Sequence, residues 1–451
     1  MRRSLGGALG TALASSLLLL ACGRSTAPAT PPASAPAPAS ETALAPHESE
    51  GKAADPEPMV RSAAPFTNAE QAFQTVRETL RRRYHREVTD DELYRAAVAG
   101  MLQNLEPQLA PYNKLLSPEE VRGLTEDLKG EFVGVGVAIR FDEPSGTSDV
   151  VNVIPGSPAE RAGVRDGDKI LTVAGKSYKG KTLRDVVADI RGPVGETVAL
   201  SILRGTEVRT FTIKRERLTY ETVTSMMLPG DVGYLLIRQF SETTPKAVRA
   251  GLQELLGKRA RALLVDLRDN QGGLFEQAAS TASLLLKRGT TLAKVRRRGE
   301  PERLVTSEGS DADSGGGGDL TVPVALLIDG ETASSAEMLA GALREATGAL
   351  LVGGRTRGKG SVQTVEDLPN HYAIKFTTGE FLLPSGQRIE GAGLVPDVEV
   401  TLPVPDGSTY GQQLSRVQRL GSATERLAQD VQLRAAYNMV RFRIQPERSP
   451  R

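Results

Sequence analysis

The sequence predicts a multidomain α/β protein, and three patterns predict it. Over residues 66–128 apolar side chains recur at three- and four-residue steps, the spacing of amphipathic helices. Residues 130–216 turn glycine-rich and read strand, strand, short helix, strand, helix, strand, strand. From 217 to 405 candidate strands alternate with helices, the pattern of a sheet with helical crossovers and active loops at its strand ends.

Composition bounds the chemistry before any element is placed. The 451 residues carry 56 Lys+Arg against 55 Asp+Glu, a formal charge of +1. That balance argues against nucleic acid as a partner, because phosphate binding draws on a basic excess. One cysteine forms no internal disulfide and supplies no Cys₂His₂ or Cys₄ zinc site. No metal and no cofactor is expected. The histidines are His47, His85 and His371, so His-dependent chemistry has few candidates. At about 100–200 residues per domain, two or three domains are expected.

The first segment reads as an address. Arg2 and Arg3 precede an apolar stretch to Leu20 that is too short and too rich in small residues for a membrane span. It ends in Leu19-Leu20-Ala21-Cys22, which resembles a bacterial lipobox. The resemblance implies removal of residues 1–21 and acylation of Cys22, each buried acyl CH₂ contributing about 0.8 kcal/mol of anchorage. The expectation is an extracytoplasmic, membrane-anchored lipoprotein. Gly23, rather than Asp, after the cysteine points to the outer membrane and periplasm in a Gram-negative cell. An ordinary signal peptide with an incidental cysteine is the alternative; the lone cysteine standing here favours the lipoprotein. Residues 22–65 are mostly Ala, Pro, Ser and Thr, with too little apolar bulk to offset chain entropy, and are expected to form a disordered tether.

In 66–129, Phe73, Val76 and Leu80, then Leu93, Ala97 and Met101, mark apolar helix faces. Arg81 to Arg83 and His85 read as a solvated face. Ser117-Pro118-Glu119-Glu120 is a helix start, with proline at the first helical position and acids in the first turn.

In 130–216, Leu183, Val186, Val187 and Ile190 form one apolar helix face. The region resembles a PDZ domain through Gly134-Val135-Gly136-Val137, Pro155-Gly156-Ser157-Pro158-Ala159 to Gly163, Asp166-Gly167-Asp168 and Ile170-Leu171. That resemblance implies a glycine-rich strand entry offering N–H groups to a peptide's C-terminal carboxylate, with the peptide added as a strand beside the helix. The plainer alternative is that these glycines only make a tight turn.

In 217–405, strands are expected at Val232–Ile237, Ala262–Leu267, Val322–Ile328, Ala349–Val352 and Ala373–Thr377. Helices are expected at Lys246–Leu256, Leu274–Leu286 and Ser334–Ala346. Glu308–Asp319 reads as an exposed polar loop. Residues 406–451 read as a polar, patchily helical tail without legible chemistry.

No G-x-S-x-G elbow and no H-E-x-x-H occurs. Gly353 to Lys359 begins like a phosphate loop, but Gly360 stands where Ser or Thr would hold Mg²⁺, and the following Ser361-Val362-Gln363-Thr364 reads as a strand. A stronger constellation is Ser334, entering a helix after a strand, with Lys359 in a later glycine-rich loop and Gln363 four residues on. A serine at such a junction sits near the positive end of a helix dipole, where backbone amides stabilise an oxyanion. A lysine serves as its base only when burial disfavours the ammonium form. Gln363 could hold that amine without adding charge. Taken singly, Ser334 with Glu337 is equally a capping box and Lys359 a solvated loop cation.

Further segments carry a resemblance to the C-terminal processing peptidases, PDZ-containing serine proteases with a Ser–Lys dyad. They are Asp266-Leu267-Arg268-Asp269-Asn270-Gln271-Gly272-Gly273, Thr332-Ala333-Ser334, Arg357-Gly358-Lys359-Gly360-Ser361-Val362-Gln363, and Pro384-Ser385-Gly386 through Ile389-Glu390-Gly391 to Val395-Pro396-Asp397. With the PDZ region they span roughly residues 70–400. The resemblance implies an N-terminal helical region and a PDZ domain (130–216) inserted before an α/β serine-peptidase core (217–405). It implies Ser334 as nucleophile, Lys359 as general base, Gln363 as its orienting residue, and Gly272, Gly273 and the Ser335 amide as oxyanion hole. Gly134 to Val137 would bind peptide, and Arg191, in Ile190-Arg191-Gly192, would couple that binding to assembly of the site. The chain departs from the family at Gln271, Asp269, Glu331 and Ser335, where Pro, Asn, Gly and Ala are usual. Asp269 and Glu331, if close, would weaken the lysine as a base.

The function expected is a serine endopeptidase that captures apolar C-termini and cuts by acyl-enzyme chemistry. A catalytically degenerate PDZ adaptor and a His371-dependent esterase or amidase are the rivals. An adaptor or activator protein and a second copy of the chain are further partners the sequence leaves open.

Overall fold

The computed structural model describes residues 18–20, 68–309, 321–406 and 408–444. Cys22, the expected tether and most of the expected leader lie outside the described residues, as does 310–319 of the expected polar loop. The described residues fall into two compact units, one within 23–115 and the other comprising the rest.

The smaller unit holds α1 (Ala69–Arg83) and α2 (Asp90–Asn104). Asn68 caps α1, and Thr89 with Glu92 forms a capping box on α2, so the first amides of each helix find side-chain acceptors. Arg77 joins the two through Asp90 at 2.8 Å. Arg81 to Arg83 and His85 are exposed.

The larger unit begins with α3 (Pro118–Lys129), boxed by Ser117 and Glu120 and closed by Gly130 at φ +73°. A Cβ on Gly130 would lie 2.6 Å from Ser241 Oγ, so only glycine fits. Then follow β1 (Glu131–Gly134), β2 (Val137–Asp142), β3 (Thr147–Val153), α4 (Pro158–Ala162), β4 (Lys169–Val173), α5 (Leu183–Ile190), β5 (Thr197–Arg204), β6 (Glu207–Lys214) and β7 (Glu216–Thr219). Strands β2 to β6 form one antiparallel sheet in chain order, while β1 pairs with β7 apart from it. The run from Gly130 to Phe141, read from sequence as one strand, is therefore two. It breaks at Gly136, whose φ is +88° and whose Cβ would lie 2.2 Å from that of Ser157. Val150, Ile170, Leu200, Ile202 and Ile213 form this module's core with Val186 and Ile190 of α5.

The α/β core comprises β8 (Val223–Leu228), β9 (Val232–Ile237), α6 (Thr244–Gly257), β10 (Ala262–Asp266), β11 (Gly273–Leu274), α7 (Phe275–Ser283), β12 (Thr291–Arg297), β13 (Arg303–Thr306), β14 (Val324–Ile328), α8 (Ser335–Thr347), β15 (Leu350–Gly353), β16 (Ser361–Asp367), β17 (Ala373–Leu382) and β18 (Val398–Glu399). Its main sheet runs β8-β9-β10-β14-β15-β18, parallel except for the β8–β9 hairpin. Strands β9, β10 and β14 are buried along their whole length, as expected of strands covered on both faces. Leu235 and Ile237 pack with Val248, Ala278 and Leu339 of α6, α7 and α8. Tyr234 and Leu236 face the other way, onto Leu433, Ala436, Tyr437 and Val440.

The helices expected in 406–451 are present within 408–444, and they form a second layer. Helices α9 (Tyr410–Gln418), α10 (Ala423–Gln429) and α11 (Val431–Arg443) cover the back of the main sheet. The spacing Leu433, Ala436, Tyr437, Val440 is a helical apolar face, diluted by the polar residues around it. A second, antiparallel sheet joins β16, β17, β12 and β13. Residues Leu18–Leu20 lie as a further strand between β16 and β11, antiparallel to both. The loop before β16 leads into a strand, so the phosphate-loop reading of Gly353 to Lys359 fails. Among the described residues no helix is long and apolar enough to cross a membrane.

Candidate active site

The loops at the carboxyl ends of β10, β14 and β15 converge, which is where an open parallel sheet places its chemistry. Ser334 ends the β14 loop and precedes α8, at φ +63° and ψ −124°. A non-glycine residue in that region costs about 1–3 kcal/mol and is held by its surroundings. Asp329 does part of the holding. Its Oδ1 accepts the amides of Glu331 at 3.0 Å and Thr332 at 2.9 Å, and its carboxylate accepts the Asp269 amide at 3.1 Å. The Tyr410 hydroxyl donates to Asp329 at 3.1 Å, so a residue of the supposed tail supports this turn. Burial pushes the Asp329 carboxyl above its usual range against these hydrogen bonds.

Lys359 is fully buried, which removes the reading of it as a solvated cation. Its loop turns at Gly358, φ +80°, where a Cβ would lie 2.6 Å from the Gly393 nitrogen. The Gly360 amide donates to Glu390 at 2.8 Å, fixing the far side of the lysine. Gln363 lies on β16, also fully buried; its Nε2 donates to Ser361 Oγ at 3.0 Å. Ser334 Oγ and Gln363 Oε1 are buried and have no hydrogen-bond partner among the described residues. Ser334 Oγ and the Lys359 amine are therefore not hydrogen-bonded to each other in this structure.

The Gly272–Gly273 turn closes against the serine. A Cβ on Gly272 (φ +99°) would lie 3.0 Å from Ser334 Cβ, and one on Gly273 (φ +139°) would lie 2.2 Å from the Phe240 carbonyl oxygen. The Gly272 amide, however, donates to Asn270 Oδ1 at 2.9 Å. In this structure that bond occupies the Gly272 amide within the turn. The Ser335 amide opens α8, where a helix leaves its first N–H groups without intrahelical acceptors. Leu18–Leu20 pairs in this same slot, Leu20 opposite Gly273 and Leu19 opposite Leu274 and Gln363.

The departures at Glu331 and Gln271 compensate one another. Glu331 forms an ion pair with Arg357 and accepts Gln271 Nε2 at 3.3 Å, so its charge is neutralised locally. His371 sits on an exposed turn joining β16 to β17, at the end of that hairpin opposite Ser361, which does not bring it to Ser334.

Sequence reasoning missed two parts. Only half of the expected capping box forms: Glu337 accepts the Ser334 amide at 2.8 Å, while Ser334 Oγ makes no bond back. Glu337 also accepts the amides of Gly358 and Lys359, both at 2.8 Å, and the Thr356 hydroxyl. Burial pushes its carboxyl above its usual range, although all four bonds favour the charged form. Second, Arg268, wholly buried below the glycine turn, bonds Asp266 at 2.6 Å, Asp430 at 2.7 Å and Gln432 at 2.9 Å. Burial opposes the charge on Asp266, yet the Arg268 guanidinium outweighs it and holds that carboxyl below its usual range.

In the PDZ-like module β2 is an edge strand, its outer side unpaired among the described residues, and Val137 and Ile139 pack on the same core as α5. Gly134 belongs to β1, Val135 is buried, and Gly136 makes the turn between them and Val137. Arg191 caps the end of α5, donates to the Tyr220 hydroxyl at 3.1 Å and lies over the Phe132 ring. Tyr220 stacks on Phe132 and donates to Asp127 at 3.3 Å; burial pushes its hydroxyl up to about 12. Gln239 bonds the Asp127 carbonyl, and the adjacent Phe240 exchanges backbone hydrogen bonds with Gly272 and Leu274. A continuous set of contacts thus runs from Arg191 to the glycine turn.

Comparison with known proteins finds relatives of both the α/β core and the PDZ-like module. Peptidase family S41 matches residues 231–400, and the PDZ domain matches residues 150–204. The carboxy-terminal processing protease CtpA of Bacillus subtilis is 34% identical over 327 residues, covering 72% of this chain and 68% of that one. A CtpA-like serine protease of Staphylococcus aureus is 32% identical over 331 residues, covering 73% of this chain and 64% of that one. The crystal structure of an S41 protease from Bacteroides fragilis shares the fold at a TM-score of 0.52 and 18% identity, covering 82% of this chain and 98% of that one. Fold and site define the class, a serine-type peptidase carrying a PDZ domain. The chain belongs to the C-terminal processing peptidases of family S41.

Proposed function

We propose that this peptidase captures proteins through apolar C-termini at the PDZ edge strand and cuts them with a Ser334–Lys359 dyad. The observation that carries the reading is the pair of orphaned buried polar atoms, a hydroxyl and an amide oxygen. Ser334 Oγ and Gln363 Oε1 lack partners among the described residues, and a neutral lysine amine has the lone pair and the hydrogens to serve both. Lys359 takes the Ser334 proton as Oγ attacks the scissile carbonyl and returns it to the leaving amine. Water then repeats the cycle on the acyl-enzyme. The amides of Gly273 and Ser335 hold the oxyanion.

The slot between β11 and β16 supports a substrate bound as an added strand, since it is one strand wide and takes Leu18–Leu20. Arg191 would report an occupied PDZ to the glycine turn through Tyr220 and Asp127. The lipobox-like Leu19-Leu20-Ala21-Cys22 supports an extracytoplasmic enzyme tethered to its membrane by Cys22.

The test compares Ser334→Ala, Lys359→Ala and His371→Ala on a peptide with an apolar C-terminus. Loss in the first two with His371→Ala unaffected is expected. Full activity of Lys359→Ala would remove the dyad, and a biological role that survives Ser334→Ala would favour an adaptor.

A further inference from the structure

We infer that the Glu337 carboxylate is a positioning residue that sets Ser334 and Lys359 in one register; the inference rests on the dyad reading above. An ordinary capping glutamate returns to one amide at the start of its own helix. Here a single oxygen, Oε2, accepts the amides of both Ser334 and Lys359, each at 2.8 Å. The other oxygen accepts the Gly358 amide at 2.8 Å and the Thr356 hydroxyl, so the lysine loop is held on both sides of its turn. Thr356 Oγ1 in turn accepts the Leu394 amide at 2.6 Å, tying the brace to the segment packed behind Gly358.

Glu337 is wholly buried and reaches the backbone of both residues, not their reacting atoms. The serine holds a strained conformation at φ +63°, and the lysine lies in a glycine-lined loop that has no regular structure of its own. Neither segment therefore fixes the distance between the two side chains. One carboxylate bound to both backbones does.

The informative variant is Glu337→Gln, which keeps the volume but has one acceptor oxygen where the carboxylate has two. Whichever way its amide turns, its NH2 replaces an oxygen that now accepts two donors, either Gly358 with Thr356 or Ser334 with Lys359, so the four-bond brace cannot form whole. Expected in the full chain is a fall in kcat of about 100-fold, the effect of displacing a reacting group by about an ångström. KM should stay within about twofold, because substrate contacts are untouched. The melting temperature should move by no more than a few degrees. Labelling of Ser334 by a serine-directed phosphonate should slow by a similar factor. A variant that keeps its kcat within about twofold overturns the inference. So does one in which melting temperature, KM and kcat all deteriorate, since that marks a packing residue. Lys359→Ala keeps the two ideas apart: full activity there removes the dyad, and slowed phosphonate labelling in Glu337→Gln still judges the brace on Ser334.

Discussion

Ser334 Oγ and Gln363 Oε1 are both buried, and neither has a hydrogen-bond partner among the described residues. An unmet buried polar atom is costly unless another group completes it, and an amine such as that of Lys359 is of a kind that could complete either. This predicts that Lys359→Arg is as inactive as Lys359→Ala, because a guanidinium stays protonated and has no lone pair to accept the serine proton. Turnover of an apolar-ended peptide should fall at least about a thousandfold in both. Peptide binding measured by fluorescence anisotropy should persist. Measurable turnover by the arginine variant would show that the base lies elsewhere.

Arg191 and Tyr220 join the PDZ module to α3 without touching the catalytic loops. In Arg191→Ala the peptide's affinity for the PDZ should hold within a few-fold, while kcat on a long substrate drops about tenfold, a coupling of 1–2 kcal/mol in the usual range. Tyr220→Phe removes the hydroxyl that accepts from Arg191 and donates to Asp127, and should do the same more weakly. The measurement is a parallel titration of binding and turnover. Should affinity fall with kcat left unchanged, Arg191 belongs to peptide capture and couples nothing.

The C-terminal helices carry a different prediction. Asp430 is the second carboxylate of buried Arg268, and its removal leaves that guanidinium underpaired beneath the glycine turn. Asp430→Ala should destabilise the peptidase core by about 3–5 kcal/mol, the cost of breaking a buried ion pair from one side. Denaturant melts followed at core tyrosines would measure it. A loss below about 1 kcal/mol would mean that Asp266 alone balances the charge.

These particulars mark what the sequence made legible. Strands β9, β10 and β14 could be read because unbroken apolar runs bounded by Gly, Asp and Pro have no solvated alternative. Ser334 and Lys359 stood out as candidates through their glycine-rich surroundings. The φ of Ser334, the double acceptor role of Glu337 and the commitment of the Gly272 amide to Asn270 were not. Each depends on where a distant segment lies, and no local pattern encodes that. The break at Gly136 was hidden by alternation that continues across it. The role of Tyr410 and Asp430 was hidden because a polar residue buried by tertiary packing looks, in sequence, like a surface one.

The PDZ module carries its own pH signature. Asp168 is almost fully buried, with 2% of its side chain exposed, and bonds Arg204 through Nε and Nη2, both at 2.7 Å. Its hydrogen bonds with Arg204, helped by the Arg165 amide, hold its carboxyl below the usual range. A carboxyl depressed in the folded state binds its proton more readily when unfolded. Its contribution is therefore complete above the ordinary carboxylate pKa of about 3.9 and is lost as pH falls through the lower folded value. Amide exchange on β4 and β5 in the full chain should accelerate over that acid window in the wild type. In Asp168→Asn the same strands should exchange faster at neutral pH, by the about 1.5–3 kcal/mol of a charged hydrogen-bond pair, with a flatter acid profile. If the variant's exchange keeps the wild-type slope between pH 4 and pH 2 or so, the acid sensitivity arises from another carboxylate and the Asp168–Arg204 pair does not control it.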